Sequence, residues 1–261
     1  MATTMEVGAP DGLSLGRVFD RALSTIRHNP IVTLLLALIS GAAPIMLAAY
    51  ASSRILDAQQ NASIPQALAA FAVTLLLGTA VGTIPQAFLT RPVIAESQGR
   101  RTSLRESIQT GASVLLPILL VGIVYAVAVV TGLALLIVPG VMLMLAWAIP
   151  AAILVEERAG VLQSFRRSQQ LTRGARWKIF GLLLLFYAVS ICKEVAVELL
   201  SSEWDSTTLA ASYSNPVYLG LTAVAETLLA ALWCCVLAAL YVELRQWKDG
   251  PASQQLEQIF A

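Results

Sequence analysis

Residues 112–155 of the chain have the sequence ASVLLPILLVGIVYAVAVVTGLALLIVPGVMLMLAWAIPAAILV, which contains no charged residue. About 20 apolar residues cross the roughly 30 Å hydrocarbon core of a bilayer, so this stretch is too long for a single span. It is divided at Val138-Pro139-Gly140, and a Pro-Gly pair is a strong turn signal. We therefore predict two antiparallel membrane helices, Ala112–Ile137 and Val141–Val155, with Pro150 as a kink in the second.

Four further stretches pass or nearly pass the same length test: Ile31–Ser52, Pro65–Leu89, Trp177–Leu200 and Val217–Tyr241. The composition also indicates a membrane protein, because apolar residues make up 57% of the chain and charged residues 13%, against about 25% charged in an average soluble domain. Mean hydropathy is +0.74. The prediction is an all-α polytopic membrane helix bundle with six transmembrane helices.

The basic residues are concentrated on one side of this threading. The segments on that side hold 15 of the 17 Lys and Arg, and the other side with its margin holds only Arg54 and Lys193. This is the positive-inside pattern, and it places both termini in the cytoplasm. A five-span threading would scatter the basic residues over both faces. We predict a cytoplasmic N-terminus (1–30), a membrane domain (31–243) and a cytoplasmic C-terminal tail (244–261), in a bacterial inner membrane.

Three predicted spans follow a short amphipathic stretch on the cytoplasmic side. Leu15–Ile26 places its apolar residues on one helix face, Ser103 and Glu106 form a capping-box pattern, and Val161–Thr172 carries a weaker stripe. Such helices commonly lie in the membrane interface with their basic residues towards the headgroups. The pattern predicts a three-fold helix-hairpin repeat; the alternative is that any helix preceding a span has this character.

Catalytic patterns are missing from the sequence. The one histidine, His28, stands at a span edge, and Cys192, Cys234 and Cys235 lie in spans without metal-ligand spacing. We therefore predict no catalytic residues, no metal site, no cofactor and no enzymatic activity. The net charge of +1 gives no reason to expect a nucleic-acid partner.

Charges inside the spans are the main candidates for a site, because an intramembrane charge is costly unless it is paired or hydrated. Lys193 and Glu226 fall at similar depths, about 10 to 14 Å from the outer boundary at 1.5 Å per residue. Glu194 and Glu198 add acid at the same rim. Two interpretations stay open: an ion pair that joins the last two helices, or a polar binding site formed by Lys193, Glu194 and Glu226.

The cytoplasmic segment Glu156–Lys178 is rich in basic residues. We consider Arg166, Arg167, Arg173 and Arg176 candidates for binding anionic lipid headgroups, at about 1 kcal/mol for each basic residue near the surface. The alternative is that they only set the topology.

Parts of the chain resemble the membrane domains of the glycerophosphoryl diester phosphodiesterase family. The similarity lies in Val138-Pro139-Gly140, Trp147, Pro150, Glu156-Glu157, Ser164-Phe165-Arg166-Arg167-Ser168, Arg176-Trp177 and the ending Leu240–Arg245 followed by Gly250. The resemblance implies a multi-pass membrane domain. It does not imply phosphodiesterase activity, because that activity belongs to a fused soluble barrel with paired histidines.

Two classes of function follow. The first is a non-enzymatic scaffold or partner-binding module of the cell envelope, acting with another membrane protein or a second copy. The second is a small transporter, channel or lipid-handling protein that uses a polar site near Glu226 and Lys193.

Overall fold

The computed structural model describes residues 13–28, 30–42, 63–97, 100, 103–201 and 216–260. Within these ranges the elements are helical and none is a strand, so the predicted all-α class is confirmed. The helices are α1 Leu15–His28, α2 Pro30–Ala37 followed by a π turn at Leu38–Ala42, α3 Ile64–Ser97, α4 Leu104–Leu135, α5 Ile137–Ala146, α6 Pro150–Glu157, α7 Val161–Thr172, α8 Arg176–Ser201 and α9 Pro216–Phe260.

Five described segments are long and apolar enough to cross a membrane: Pro65–Ser97, Leu104–Leu135, Ile137–Glu157, Arg176–Val197 and Thr222–Gly250. They correspond to the second to sixth predicted spans and are compatible with a membrane-embedded protein. The first predicted span, Ile31–Ser52, begins in α2, but residues 43–62 lie outside the described part of the chain. The count of six spans is therefore not confirmed.

The hairpin between α4 and α5 turns earlier than the Pro-Gly pair predicts. Leu136 alone is extended between the two helices, so Pro139 and Gly140 fall inside the first turn of α5. Proline is tolerated there, because the first N–H groups of a helix have no intrahelical acceptor. Gly140 allows close packing instead, since a Cβ at that position would lie 2.7 Å from the backbone nitrogen of Leu133.

The amphipathic stretch before the third span is not a separate helix. α4 runs without interruption from Leu104 to Leu135, and Ser103 caps it by accepting a hydrogen bond from the Glu106 N–H at 3.2 Å. No turn residue separates the stretch from the span, so the helix simply continues. The three predicted units are thus not alike, and the three-fold repeat is not confirmed.

The amphipathic helices α1 and α7 bury their apolar faces in the protein, which differs from the interfacial placement we expected. On α1, Val18 and Ala22 are fully buried. The neighbouring Arg17 and Arg21 lie 3.2 and 3.1 Å from the carboxylate of Glu243 on α9, which is only 2% exposed. A shared core and these ion pairs hold α1 against the end of α9.

The largest apolar core in the described part of the chain lies around the second half of α9. Leu240, Tyr241 and Leu244 of α9 pack there with Ile153 of α6 and Ile179 of α8. α9 passes the predicted tail boundary at residue 244 without a break and first departs from helical geometry at Gly250 (φ 74°). Ile179 and Leu240 of this core also line the candidate site.

Candidate functional site: an apolar cavity and a basic groove

Lys193 of α8 and Glu226 of α9 form an ion pair, which is one of the two arrangements that the sequence leaves open. The Lys193 ammonium also lies 2.7 Å from Oε1 of Glu194, so one cation faces two carboxylates. The Lys193 side chain is 15% exposed and that of Glu226 40%; the side chain of Glu198 lies outside the described residues. The pair links the last two helices, and a binding role for it stays a prediction.

Three of the four predicted headgroup arginines surround one groove. It has a volume of about 440 Å³ and is lined by Arg166, Gln169, Gln170, Arg173 and Arg176. The first three lie on one face of α7, because residues three and four apart are neighbours on a helix, and Arg173 is the extended residue that follows α7. Arg176 is the first residue of α8. The corner between α7 and α8 thus presents three guanidinium groups to one space.

Arg167, the fourth candidate, is directed elsewhere. Its guanidinium contacts Asp249 of α9 and lies 3.6 Å from Oε1 of Glu157. Glu157 also accepts a hydrogen bond from the Tyr241 hydroxyl at 3.0 Å. Arg167 therefore belongs to an ion-paired cluster that joins α6, α7 and α9, and the structure does not bring it to the groove.

A cavity of about 520 Å³ lies between α3, α4, α8, α9 and the segment that joins α5 to α6. The wall from α3 is a continuous stripe of residues three and four apart: Phe71, Thr74, Leu75, Gly78, Thr79, Gly82, Thr83 and Gln86. The opposite wall is apolar: Ile179, Leu182, Leu183, Trp233, Leu237 and Leu240. Lys193 and Glu226 are not among the lining residues.

Two glycines of the α3 stripe face open space. A Cβ built on Gly78 or on Gly82 would meet no other described atom within 4 Å. Gly122 of α4, which also lines the cavity, differs, because a Cβ there would press on the side chain of Thr83. The small residues at Gly78 and Gly82 therefore leave room for something other than a neighbouring helix of the described chain.

Few polar groups line the cavity. The hydroxyls of Thr74 and Thr83 donate to carbonyls within α3, and the Gln86 amide does the same at 2.9 Å. Within the described part of the chain, neither the Tyr125 hydroxyl nor the Trp147 indole N–H has a hydrogen-bond partner. These two are donors that a bound molecule with an acceptor oxygen could use.

A helix break forms the cavity wall beside Trp147. Residues 147–149 separate α5 from α6, and Pro150 begins α6. The break exposes the Ala146 carbonyl, which accepts hydrogen bonds from the hydroxyls of Ser168 (3.0 Å) and Thr172 (3.1 Å) of α7. The expected kink at Pro150 is thus a complete break in the helix. The hydroxyls of Ser168 and Thr172 satisfy the carbonyl that the break frees, and they belong to the stripe of α7 that is weak in the sequence.

A family model described as a domain of unknown function, DUF7847, matches residues 13–244. The chain belongs to the DUF7847 family. No curated protein and no solved structure matches the chain at a significant level. No match links it to the glycerophosphoryl diester phosphodiesterase membrane domains, and the resemblance to them is not confirmed.

The DUF7847 region contains both candidate sites. It begins at Leu13, just before α1, and ends at Leu244, one residue after the Glu243 carboxylate that holds α1. The lining of the cavity and that of the groove fall inside it. Within the described residues, no group of three His, Cys, Asp or Glu side chains is placed to hold a metal ion.

The cavity was not predicted from the sequence. Its signal was present in α3, where small and hydroxyl residues recur at helical spacing on one side of an apolar span. Such a stripe is also typical of close helix packing, so the sequence does not distinguish a packed face from an empty one.

Proposed function

We propose that this protein is a non-enzymatic integral membrane protein that holds a lipid acyl chain in the cavity beside α3. The observation that carries the proposal is the open space in front of Gly78 and Gly82. Membrane helices usually place small residues where another helix approaches closely. Here the small residues border a cavity of about 520 Å³, within the range of ordinary ligand sites.

The surroundings of the cavity favour a lipid over a water-soluble molecule. The helices that line it are apolar enough to span a bilayer, so lipid is the molecule present at the highest concentration around them. The walls from α8 and α9 offer only apolar side chains, apart from the indole N–H of Trp233. The free donors of Tyr125 and Trp147 suit the ester carbonyls of a glycerolipid, since these groups accept hydrogen bonds and donate none.

The proposal includes the six-span threading in a bacterial inner membrane, with both termini in the cytoplasm. The distribution of basic residues supports it. In this orientation the cavity reaches the cytoplasmic half of the membrane, because its lining residue Leu240 lies one helical turn before the buried, ion-paired Glu243.

A scaffold or partner-binding module of the cell envelope is the second candidate. It is supported by the ion pair of Lys193 and Glu226, which joins α8 to α9 and does not line the cavity. In that case the open face of α3 would receive a helix of another membrane protein or of a second copy. A third candidate, which has less support, is transport through a polar site at Lys193 and Glu226.

The test is to fill the cavity with a larger side chain. Gly82→Leu should extend its side chain into the cavity, since no described atom lies within 4 Å of the new Cβ. Gly181→Leu is the matched control, because Gly181 also faces open space, lies in an apolar helix and does not line the cavity. Lipid that co-purifies in mild detergent is counted per protein by mass spectrometry.

We expect the wild type and Gly181→Leu to retain lipid in a fixed ratio to protein, and Gly82→Leu to lose most of it. Equal lipid content in all three proteins would contradict the proposal. Loss of a co-purifying protein or of self-association in Gly82→Leu, with lipid content unchanged, would support the partner-binding alternative.

A further inference from the structure

We infer that the groove at the corner of α7 and α8 binds a phosphate group, and that this phosphate belongs to an anionic phospholipid whose acyl chain occupies the cavity. The inference rests on the proposed lipid-binding function and adds the class of lipid. It uses the three arginines that surround the groove: Arg166, Arg173 and Arg176.

The charge of these arginines is not balanced by the protein. Among the described residues, no acidic side chain pairs with any of the three. Arg166 and Arg173 are exposed, whereas Arg176 is partly buried and its Nε is a buried donor without a hydrogen-bond partner. A guanidinium group that is held in place with unused donors fits a phosphate, which supplies several acceptor oxygens.

Five other basic residues on the same side have partners within the fold. The ion pairs are Arg17 and Arg21 with Glu243, Arg91 with Glu156, and Arg167 with Asp249. Lys178, two residues after Arg176, donates to the Leu13 carbonyl at 2.6 Å. These five basic side chains thus have partners, whereas the three arginines of the groove have no acidic partner among the described residues.

The position of the groove indicates a lipid as the source of the phosphate. Trp177, next to Arg176, has 86% of its surface exposed. An exposed tryptophan at the cytoplasmic end of a spanning helix is typical of the headgroup region of a membrane. Arg176 therefore lies at the depth of lipid phosphates.

The groove and the cavity are lined by residues of the same face of α8. Ile179 and Leu183 line the cavity, and Arg176 lines the groove. These residues are three and seven positions apart, so their side chains project from the same side of the helix, with Arg176 about 4.5 Å further towards the cytoplasm than Ile179. A lipid whose chain lies in the cavity against the partly exposed Leu183 would extend along this face with its phosphate towards Arg176.

The experiment compares two lipids with identical acyl chains, phosphatidylglycerol and phosphatidylcholine. Equal amounts are offered to the purified full-length protein in mild detergent, and the bound lipids are counted by native mass spectrometry. We expect the wild type to prefer phosphatidylglycerol. Arg173→Gln, at an exposed position, and the double variant Arg173→Gln/Arg176→Gln should weaken that preference by about fivefold for each arginine removed.

The double variant Arg100→Gln/Arg105→Gln is the matched control. It removes the same charge from exposed positions outside the groove and should keep the preference of the wild type. An equal loss in this control would overturn the inference in favour of a general surface charge. Glycerol 1-phosphate and inorganic phosphate are tested separately, and binding of either as tight as that of phosphatidylglycerol would make the ligand a soluble phosphate.

The remaining outcomes separate this inference from the proposed function. Retention of both lipids without preference, together with loss of both in Gly82→Leu, would overturn the headgroup assignment and leave the cavity proposal standing. Retention of neither lipid by the wild type would overturn both.

Discussion

The hydroxyl of Thr172 shares its hydrogen bond between the carbonyl of Ala146 at 3.1 Å and that of Ser168 in its own helix at 2.9 Å, and so joins the end of α7 to the end of α5. Ser168, one turn earlier, donates to the same carbonyl and accepts the Ile149 N–H at 3.4 Å. A backbone group freed by a helix break costs several kcal/mol in apolar surroundings unless it finds a partner. The hydroxyl face of α7 therefore supports the break that places Trp147 in the cavity wall.

The first prediction tests this support. Thr172→Val keeps the shape of the side chain and removes the hydroxyl, so it should lower the free energy of unfolding by about 1–2 kcal/mol, and the double variant with Ser168→Ala by more. Unfolding in detergent by heat or denaturant measures the change. The control is Thr74→Val, whose hydroxyl bonds only to the Ala70 carbonyl within its own helix. The same loss in the control would show that the bonds to Ala146 have no special role.

The second prediction concerns the hairpin of α4 and α5. A methyl group on Gly140 would lie 2.7 Å from the Leu133 backbone nitrogen, so Gly140→Ala must separate the two helices. We expect a loss of about 1–3 kcal/mol in unfolding free energy. Gly181→Ala, in open space, should be neutral or stabilising, because alanine favours the helix over glycine. A Gly140→Ala protein as stable as the wild type would contradict the close packing.

The third prediction concerns the intramembrane ion pair. Lys193→Ala and Glu226→Ala should each destabilise the protein, and the double variant should lose less than their sum, by about 1 kcal/mol. The coupling is modest because Glu194 remains beside Lys193 when Glu226 is removed. Glu194→Ala, at a more exposed carboxylate, is the comparison. Strictly additive losses for Lys193 and Glu226 would mean that the pair contributes nothing to the link between α8 and α9.

The ion pair of Lys193 and Glu226 could be predicted because both residues lie in regular helices, where depth follows from residue count. The different surroundings of Arg166 and Arg167 could not be predicted from the sequence. Adjacent residues on a helix project about 100° apart, so one arginine lines the groove while the other meets Asp249. Which of the two arginines meets an acidic residue depends on the position of α9, which is distant from α7 in the sequence.

By itself, the sequence determined the helical class and the apolar segments, because the bilayer acts on each segment separately through its length and charge. The hairpin was also predictable, although the turn lies at Leu136 and not at the Pro-Gly pair. Tertiary structure alone decided that α1 and α7 dock on the bundle, that the chain breaks after Ala146 and that Gly78 and Gly82 border a cavity. Each of these depends on which surfaces from distant parts of the chain fit together, and the pattern of one helix does not specify what packs against it.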